Sequence, residues 1–336
     1  LLELKAVSYL LWLLPGLPFL FIECVGMMLI RLDGSPKYAM SVQIVAAVVN
    51  IVLDWYMVFP LDWGVMGAAL ATSIACATGG MMVLVYFLCF PNKLRFYPLK
   101  WSLTSLLLTL RNTGYMARIG FATFLTELAM SVMMLTGNYM FISLLGEDGV
   151  AAFAIACYLF PVVFSISNAV AQSAQPIISY NYGLNESQRV CRAYLLALKT
   201  AIGCGVCFAL VTIFCSPEIV GMFIDRSYPA YDIAVKGLPL YATGFVFFAV
   251  NIVSIGYFQS VERAKYATVI TLLRGFILLT ACFFGLPLLL GDRGIWLATP
   301  LAEMLTTLFI LVIYISGKKE HKEKSVSLDK MGCTPT

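Results

Sequence analysis

The chain has 336 residues, of which 61% are hydrophobic and 12% are charged, with a formal net charge of +4. A soluble globular domain carries about 25% charged residues, so this composition excludes a chain whose whole surface faces water. The excess of basic residues lies in short segments between apolar runs and forms no basic tract. We therefore expect a lipid bilayer, and not nucleic acid, as its partner.

Apolar runs of about 20 residues recur along the chain, and this is the length that crosses a bilayer as a helix. Backbone polar groups in lipid must be satisfied within each run, so we predict an all-α polytopic membrane protein. In chain order, the nine predicted transmembrane helices are residues 8–30, 38–60, 65–90, 118–145, 148–178, 190–215, 236–260, 266–290 and 295–316.

One sequence pattern occurs twice. Lys-Tyr-Ala is followed 25 residues later by Asp-Trp-Gly-Val, and a second Lys-Tyr-Ala is followed 27 residues later by Asp-Arg-Gly-Ile. The copies are residues 37–39 with 62–65 and residues 265–267 with 292–295. Six predicted helices separate them, and an even number returns the chain to the same side of the membrane. The pattern thus predicts the parallel repeats of a two-lobed transporter.

The repeat also predicts the domain organisation. In the second copy three predicted helices (118–215) precede the three that carry the pattern (236–316), whereas no such trio precedes the helices at 8–90 in the first. We therefore expect three further helices ahead of residue 1 in a twelve-helix natural protein. The predicted parts are the C-terminal half of a first lobe (1–90), a cytoplasmic linker (91–117), a second lobe (118–316) and a cytoplasmic tail (317–336).

The basic residues predict the orientation. With the C-terminal tail in the cytoplasm, 18 of the 22 lysines and arginines lie on the cytoplasmic side. The exceptions are Lys5, Arg226, Lys236 and Arg293. Such a bias is typical of multi-pass proteins, and we predict a plasma membrane protein (the inner membrane of a bacterium) with a cytoplasmic C-terminus.

Charged groups at membrane depth are costly, so each is a candidate functional residue. In the first lobe Asn50 and Asp54 lie one helical turn apart, and Thr72 on the next helix can supply a hydroxyl. A carboxyl beside an amide suits a site that gains and loses a proton during a transport cycle. The alternative is a carboxyl that only bonds neighbouring helices together.

In the second lobe Glu127 follows Thr126, and Asn138 comes eleven residues later. Carboxylate, amide and hydroxyl oxygens suit Na⁺ or a cationic substrate, and a structural hydrogen bond is the alternative. No other metal site is predicted.

Four further polar residues are weaker candidates. Glu303 is a possible substrate or gate residue, and Gln172 and Gln175 flank Pro176, where a gate and a helix cap are both compatible with the sequence. Arg274 lies about two turns inside its span, and we expect its long side chain to reach the membrane surface.

Enzyme chemistry has little support, because the single histidine, His321, lies in the charged tail and no nucleophile–base or phosphate-binding motif is present. We predict a protein that is not an enzyme and that needs no cofactor. Its energy source is then an ion gradient of H⁺ or Na⁺.

Five segments resemble the multidrug and toxic compound extrusion (MATE) family. They are residues 31–40, 50–54, 64–72, 171–183 and 294–303. The resemblance runs through the whole chain in family order, and implies helices four to twelve of a twelve-helix fold. The family exports amphipathic, mostly cationic compounds in exchange for H⁺ or Na⁺ by rocking its lobes, and we expect a monomer.

The resemblance also implies site residues. Asn50, Asp54 and Thr72 match a proton-linked network, and Glu127 matches a carboxylate associated with cation binding. The chain departs from the family at Met27, where an Asn is frequent, and in span 236–260, which has Asn251 but no carboxylate. The coupling ion therefore stays open between H⁺ and Na⁺.

Two alternatives belong to other classes. A lipid-linked oligosaccharide flippase would need a basic cavity for pyrophosphate, whereas the basic residues lie almost entirely in loops. A membrane-embedded enzyme would need an intramembrane histidine or nucleophile.

Overall fold

The structure, a computed structural model, describes the backbone of residues 2–94 and 102–330 and the side chains of residues 7–94 and 102–315. The described chain is helical and contains no strand, as predicted. It divides into two compact units, Leu1–Ser105 and Leu106–Thr336. The division falls inside the predicted linker 91–117, which is helical from Leu103 onward.

The first unit is a four-helix assembly in which α4 packs against the other three helices. Pro15 and Pro18 lack backbone N–H groups, and a 3₁₀ turn separates the first two helices at this point. The elements are α1 (Leu2–Leu13), the 3₁₀ turn (Leu14–Gly16), α2 (Leu17–Leu32), α3 (Pro36–Val58) and α4 (Gly64–Cys89).

Small residues explain why α4 lies at the centre of this unit. Gly67, Ala71, Ala75 and Gly79 recur every four residues and are all buried, so they form one smooth face. A Cβ on Gly80 would lie 2.8 Å from the carbonyl oxygen of Phe19 in α2. The two helix backbones therefore approach as closely as small residues allow in membrane proteins.

A buried carboxylate fixes the turn between α2 and α3. Asp33 accepts hydrogen bonds from the backbone N–H groups of three consecutive residues after α4, at 2.7–2.8 Å. These residues are Asn92, Lys93 and Leu94. The Tyr86 hydroxyl donates a fourth bond at 2.7 Å. Burial alone would raise the pKa of the Asp33 carboxyl, but these donors hold it well below its usual range.

We expect Asp33→Asn to lower the thermal unfolding midpoint at neutral pH, because an amide presents N–H groups to backbone donors. The folded pKa of Asp33 is depressed, so its contribution is complete above the unfolded value of about 3.9 and is lost as the pH falls through the folded value. The difference between wild type and variant should therefore narrow below about pH 4. Differential scanning fluorimetry would measure it, with Asp232→Asn as an exposed control, and a pH-independent difference would contradict the prediction.

The second unit contains the remaining helices. They are α5 (Leu103–Gly183), α6 (Ser187–Phe214), α7 (Ser216–Gly221), α8 (Pro229–Ala242), α9 (Phe245–Ser260), α10 (Ala264–Leu272), a π-helical turn (Leu273–Ile277), α11 (Leu278–Leu290) and α12 (Asp292–Lys330). Aromatic rings build its core: the rings of Phe141 and Phe153 stack with centroids 4.4 Å apart, and Trp296 meets Phe141 edge-on at 4.8 Å.

The 81-residue α5 is interrupted at Gly146, whose φ of 67° and ψ of −158° are not helical. Glycine reaches this region without steric cost. At about 1.5 Å per residue, the whole of α5 is far longer than one bilayer crossing. The described residues contain seven helices able to cross a membrane, or eight when α8 and α9, bent by 44°, are taken as one. The count of nine transmembrane helices stays a prediction. The break at Gly146 favours it, because it divides α5 into two helices.

Both copies of the repeated pattern occupy the same local structure. Each Lys-Tyr-Ala lies in the first turn of a helix, α3 or α10, and is preceded by a residue with positive φ. These residues are Gly34 and Glu262, with φ of 89° and 60°. The copies differ in the helix that follows: α3 is α-helical throughout, whereas the second copy contains the π-helical turn.

Candidate functional site

Two of the three residues predicted for the first unit meet between α3 and α4. The Asn50 side-chain amide donates to the hydroxyl oxygen of Thr72 at 3.5 Å, the outer limit for such a bond. The Thr72 hydroxyl in turn donates to the backbone carbonyl of Ala68 at 3.0 Å. The hydroxyl proton is therefore already used, which leaves Thr72 to act as an acceptor toward its neighbours.

Asp54 lies one turn beyond Asn50, and its side chain is half-buried. Its Oδ1 atom is buried and has no hydrogen-bond partner among the described residues. A buried polar atom without a partner is costly, and a proton or a small cation can supply the missing interaction. Asp54 is thus a half-buried carboxyl with one buried oxygen to which no described residue donates.

Glu127 and Asn138 both lie on an exposed face of α5, together with Thr123 and Ser131. Eleven residues of helix place Glu127 and Asn138 about 16 Å apart, so the two side chains cannot bind the same ion. Thr126, the other expected ligand, is buried on a different face, where its hydroxyl lies 3.5 Å from that of Thr271. The structure therefore does not bring the predicted Na⁺ ligands together.

The glutamines beside Pro176 take part in contacts between helices. Gln175 donates to the side-chain carbonyl of Gln259 in α9 at 3.2 Å. Gln259 donates in turn to the hydroxyl of Thr123 at 2.8 Å. Gln172 is half-buried. For Gln175 the helix-cap interpretation is wrong, because its side-chain amide joins the second half of α5 to α9.

The most extensive polar network of the second unit centres on an ion pair. Arg274 donates from Nη2 to Oε1 of Glu303 at 2.6 Å, and from Nε to both carboxylate oxygens at 3.1 and 3.2 Å. Both residues are nearly inaccessible, at 4% and 3% exposure. The expectation that Arg274 reaches the membrane surface is therefore wrong, because its guanidinium is held inside the helix bundle.

Further residues complete this network. Asn251 donates to Oε2 of Glu303 at 2.6 Å and to the Glu303 backbone carbonyl at 2.9 Å. Thr307 donates to the side-chain oxygen of Asn251 at 2.9 Å. The Phe248 ring lies 4.6 Å below the guanidinium carbon of Arg274, a cation–π distance. Arg274, Asn251 and Thr307 were not predicted as site residues, and Glu303 was only a weak candidate.

The positions of Arg274 and Glu303 along their helices could have indicated the ion pair from the sequence. Arg274 lies ten residues after the start of α10 at Ala264, and Glu303 lies eleven residues after the start of α12 at Asp292. On the predicted topology the two helices enter the bilayer from opposite sides, and a side chain ten or eleven residues along its helix would lie about 15 Å deep. In a hydrocarbon core of about 30 Å, both would reach the midplane.

A small cavity adjoins this pair. Its volume is about 20 Å³, and its walls include Thr126, Met130, Phe248, Thr299 and the pair itself. The Thr299 hydroxyl is buried in its wall. The cavity has room for about one water molecule, whereas sites for drug-sized ligands measure about 300–1,000 Å³. It is therefore not a drug-binding pocket.

Long apolar helices with ionisable groups at membrane depth define a multi-pass membrane protein of the transporter class. The MatE family profile matches residues 122–283. Over these residues the chain is similar to the MATE transporters.

Two relatives illustrate the relationship. The chain is 22% identical over 328 residues to the multidrug export protein MepA of Staphylococcus saprophyticus, covering 96% of this chain and 70% of the relative. It is 23% identical over 321 residues to MepA of Staphylococcus aureus (strain bovine RF122), covering 92% and 66%. The chain thus spans about two thirds of the length of these relatives.

Solved structures share the fold. An outward-facing multidrug resistance MATE transporter of the MOP superfamily superposes with a TM-score of 0.83 at 22% identity, covering 94% of this chain and 70% of that one. The MATE transporter VcmN of Vibrio cholerae superposes with a TM-score of 0.82 at 19% identity, covering 93% and 69%.

Proposed function

We propose that this chain works in an ion-coupled antiporter that exports amphipathic, mostly cationic compounds in exchange for H⁺ or Na⁺. The observation that carries the proposal is the buried Oδ1 atom of Asp54, which has no protein partner beside the Asn50–Thr72 contact. A carboxylate that lacks a partner in one conformation can take up an ion there and release it when the packing changes. Ion uptake and release at Asp54 would thereby be linked to rocking of the two lobes.

The relatives are named multidrug export proteins, which supports export of drug-like compounds. The exposed polar face of α5, with Glu127 and Asn138, supplies a carboxylate for a cationic compound. Gln172, Gln175 and Glu303 take supporting roles in lobe packing or gating. We further propose a monomer in a bacterial inner membrane. Its C-terminus would lie in the cytoplasm, as the distribution of basic residues indicates. No cofactor other than the coupling ion is needed.

The test is efflux of ethidium from cells that express the gene encoding this chain. We expect Asp54→Asn to slow efflux by about tenfold or more, equivalent to at least 1.4 kcal/mol in the barrier of the cycle, because an amide cannot exchange a proton. Glu127→Gln should raise the concentration of ethidium needed for half-maximal efflux. The matched controls are Asp232→Asn and Glu218→Gln, which alter exposed acids outside both sites.

Wild-type accumulation equal to that of cells with an empty vector would refute the transport function. Efflux that survives Asp54→Asn unchanged would refute the role of Asp54. Inverted membrane vesicles with an imposed proton or Na⁺ gradient would then identify the coupling ion, since only the correct gradient should drive uptake.

A further inference from the structure

The carboxylate of Glu303 has no free oxygen. Oε1 accepts from two nitrogens of Arg274, and Oε2 accepts from Arg274 Nε and from the Asn251 amide. Charge-assisted bonds of this kind are about twice as strong as neutral ones. An arriving cation would have to displace a guanidinium that is covalently part of the chain and stacked on Phe248.

The helix is locally distorted at Arg274, the residue that pairs with Glu303. The π-helical turn at Leu273–Ile277 contains Arg274 and Gly275, and such turns are rare and frequent at functional sites. Gly275 packs directly against Ala129 of α5, where a Cβ would overlap the alanine methyl group. Because a π turn closes a larger hydrogen-bonded ring than an α turn, it changes the direction in which the following side chains point.

Within its described residues, the first unit contains no buried arginine–glutamate pair. Counted from Lys-Tyr-Ala, the position of Arg274 corresponds to Ala46, a buried residue in the regular helix α3. The position of Asn251 corresponds to Glu23, which is buried beside Gly79 of α4. The two halves of the repeat therefore differ in charge. The second contains an Arg–Glu pair whose charges cancel. The first contains carboxylates, but no arginine at the position equivalent to Arg274.

We propose that Arg274 is a tethered cation that permanently occupies the Glu303 carboxylate, so that the acids outside this pair must bind the coupling ion. A proton or Na⁺ added to the neutral pair would leave one uncompensated positive charge in a low-dielectric interior, which is unfavourable. Arg274 is thus a residue that determines where the transported ion binds. This inference rests on the proposed antiport function.

The test is ion binding to the purified full chain, measured by infrared difference spectroscopy of protonated carboxyl groups and by Na⁺ titration of tryptophan fluorescence. The ionisable side chains that face Glu303 from its packed helices, within the described residues, are Arg274 and Tyr241. We expect Arg274→Gln to gain a protonated-carboxyl or Na⁺ signal with affinity at least about tenfold higher than in wild type, or 1.4 kcal/mol. Arg274→Lys, which keeps the charge, should not gain it.

The double variant Arg274→Gln/Glu303→Gln should lose the ion signal that Arg274→Gln gains, because it also lacks the carboxylate. It can still be measured if Arg274→Gln alone fails to fold. The inference is overturned if Glu303→Gln alone abolishes the ion signal of wild type, or if Arg274→Gln and the double variant respond alike. Loss of the wild-type signal in Asp54→Asn tests the proposed function separately, because that residue lies in the other unit.

Discussion

Glu303→Leu should lower the free energy of unfolding by about 3–5 kcal/mol, because it leaves the Arg274 guanidinium buried and unpaired. A guanidinium keeps its proton in proteins, so the positive charge would stay buried without a counter-ion. The Asn251 amide would also lose its 2.6 Å acceptor. Unfolding in mixed micelles with increasing denaturing detergent, followed by tryptophan fluorescence, would measure the change.

The double variant Arg274→Met/Glu303→Leu provides the sharpest comparison. It removes both charges together, and apolar replacements of a buried ion pair are often neutral or stabilising. We therefore expect it to recover most of the lost stability. Glu218→Leu, which replaces an exposed acid, should change stability by less than about 0.5 kcal/mol. A double variant as unstable as Glu303→Leu would show that the shape of the pair matters, and not its charge balance.

Gly294→Ala should destabilise the second unit by about 3 kcal/mol, the upper end of the range for overpacking. Gly294 belongs to the second copy of the repeated pattern and lies in the first turn of α12. A Cβ at this position would overlap the carbonyl oxygen of Leu286 and lie 2.9 Å from the nitrogen of Pro287. These are backbone atoms of α11, so neither can move aside as a side chain can.

Gly285→Ala is the matched control in the same helix hairpin. It lies inside α11, and a Cβ there would meet no other atom within 4 Å. Alanine is favoured over glycine in a helix, so this variant should stabilise the protein by about 0.5–1 kcal/mol. Equal unfolding midpoints for the two alanine variants would contradict the close approach of α11 and α12 at Gly294.

Much of the fold follows from local sequence. The predicted span 38–60 is helix α3 at Pro36–Val58, and 65–90 is α4 at Gly64–Cys89, because apolar length and the turn residues between helices define both ends. The small residues of α4 are spaced four apart in the sequence, which places them on one helix face. The number of spans depends on the breaks at Gly146 and between α8 and α9. These breaks could not be predicted, because local sequence does not show how far a helix bends.

The candidate site was only partly predictable. Spacing placed Asn50 and Asp54 on one face, and the structure adds the contact with Thr72 and the unpaired Asp54 oxygen. Spacing alone also suggested that Glu127 and Asn138 act together, but three helical turns separate them. Arg274 was misjudged because a long side chain at its depth can reach either the membrane surface or a buried partner, and the sequence does not distinguish these.

The sequence by itself determined that this chain spans a membrane as helices, contains two copies of one pattern and carries few acidic residues within its spans. These properties follow from the cost of polar groups in hydrocarbon, which acts on each segment independently. Only the tertiary structure decided which acids have partners. Pairing depends on the rotation of each helix, and in the second unit one π-helical turn directs Arg274 to Glu303, whereas Asp54 in the first unit keeps an oxygen without a protein partner.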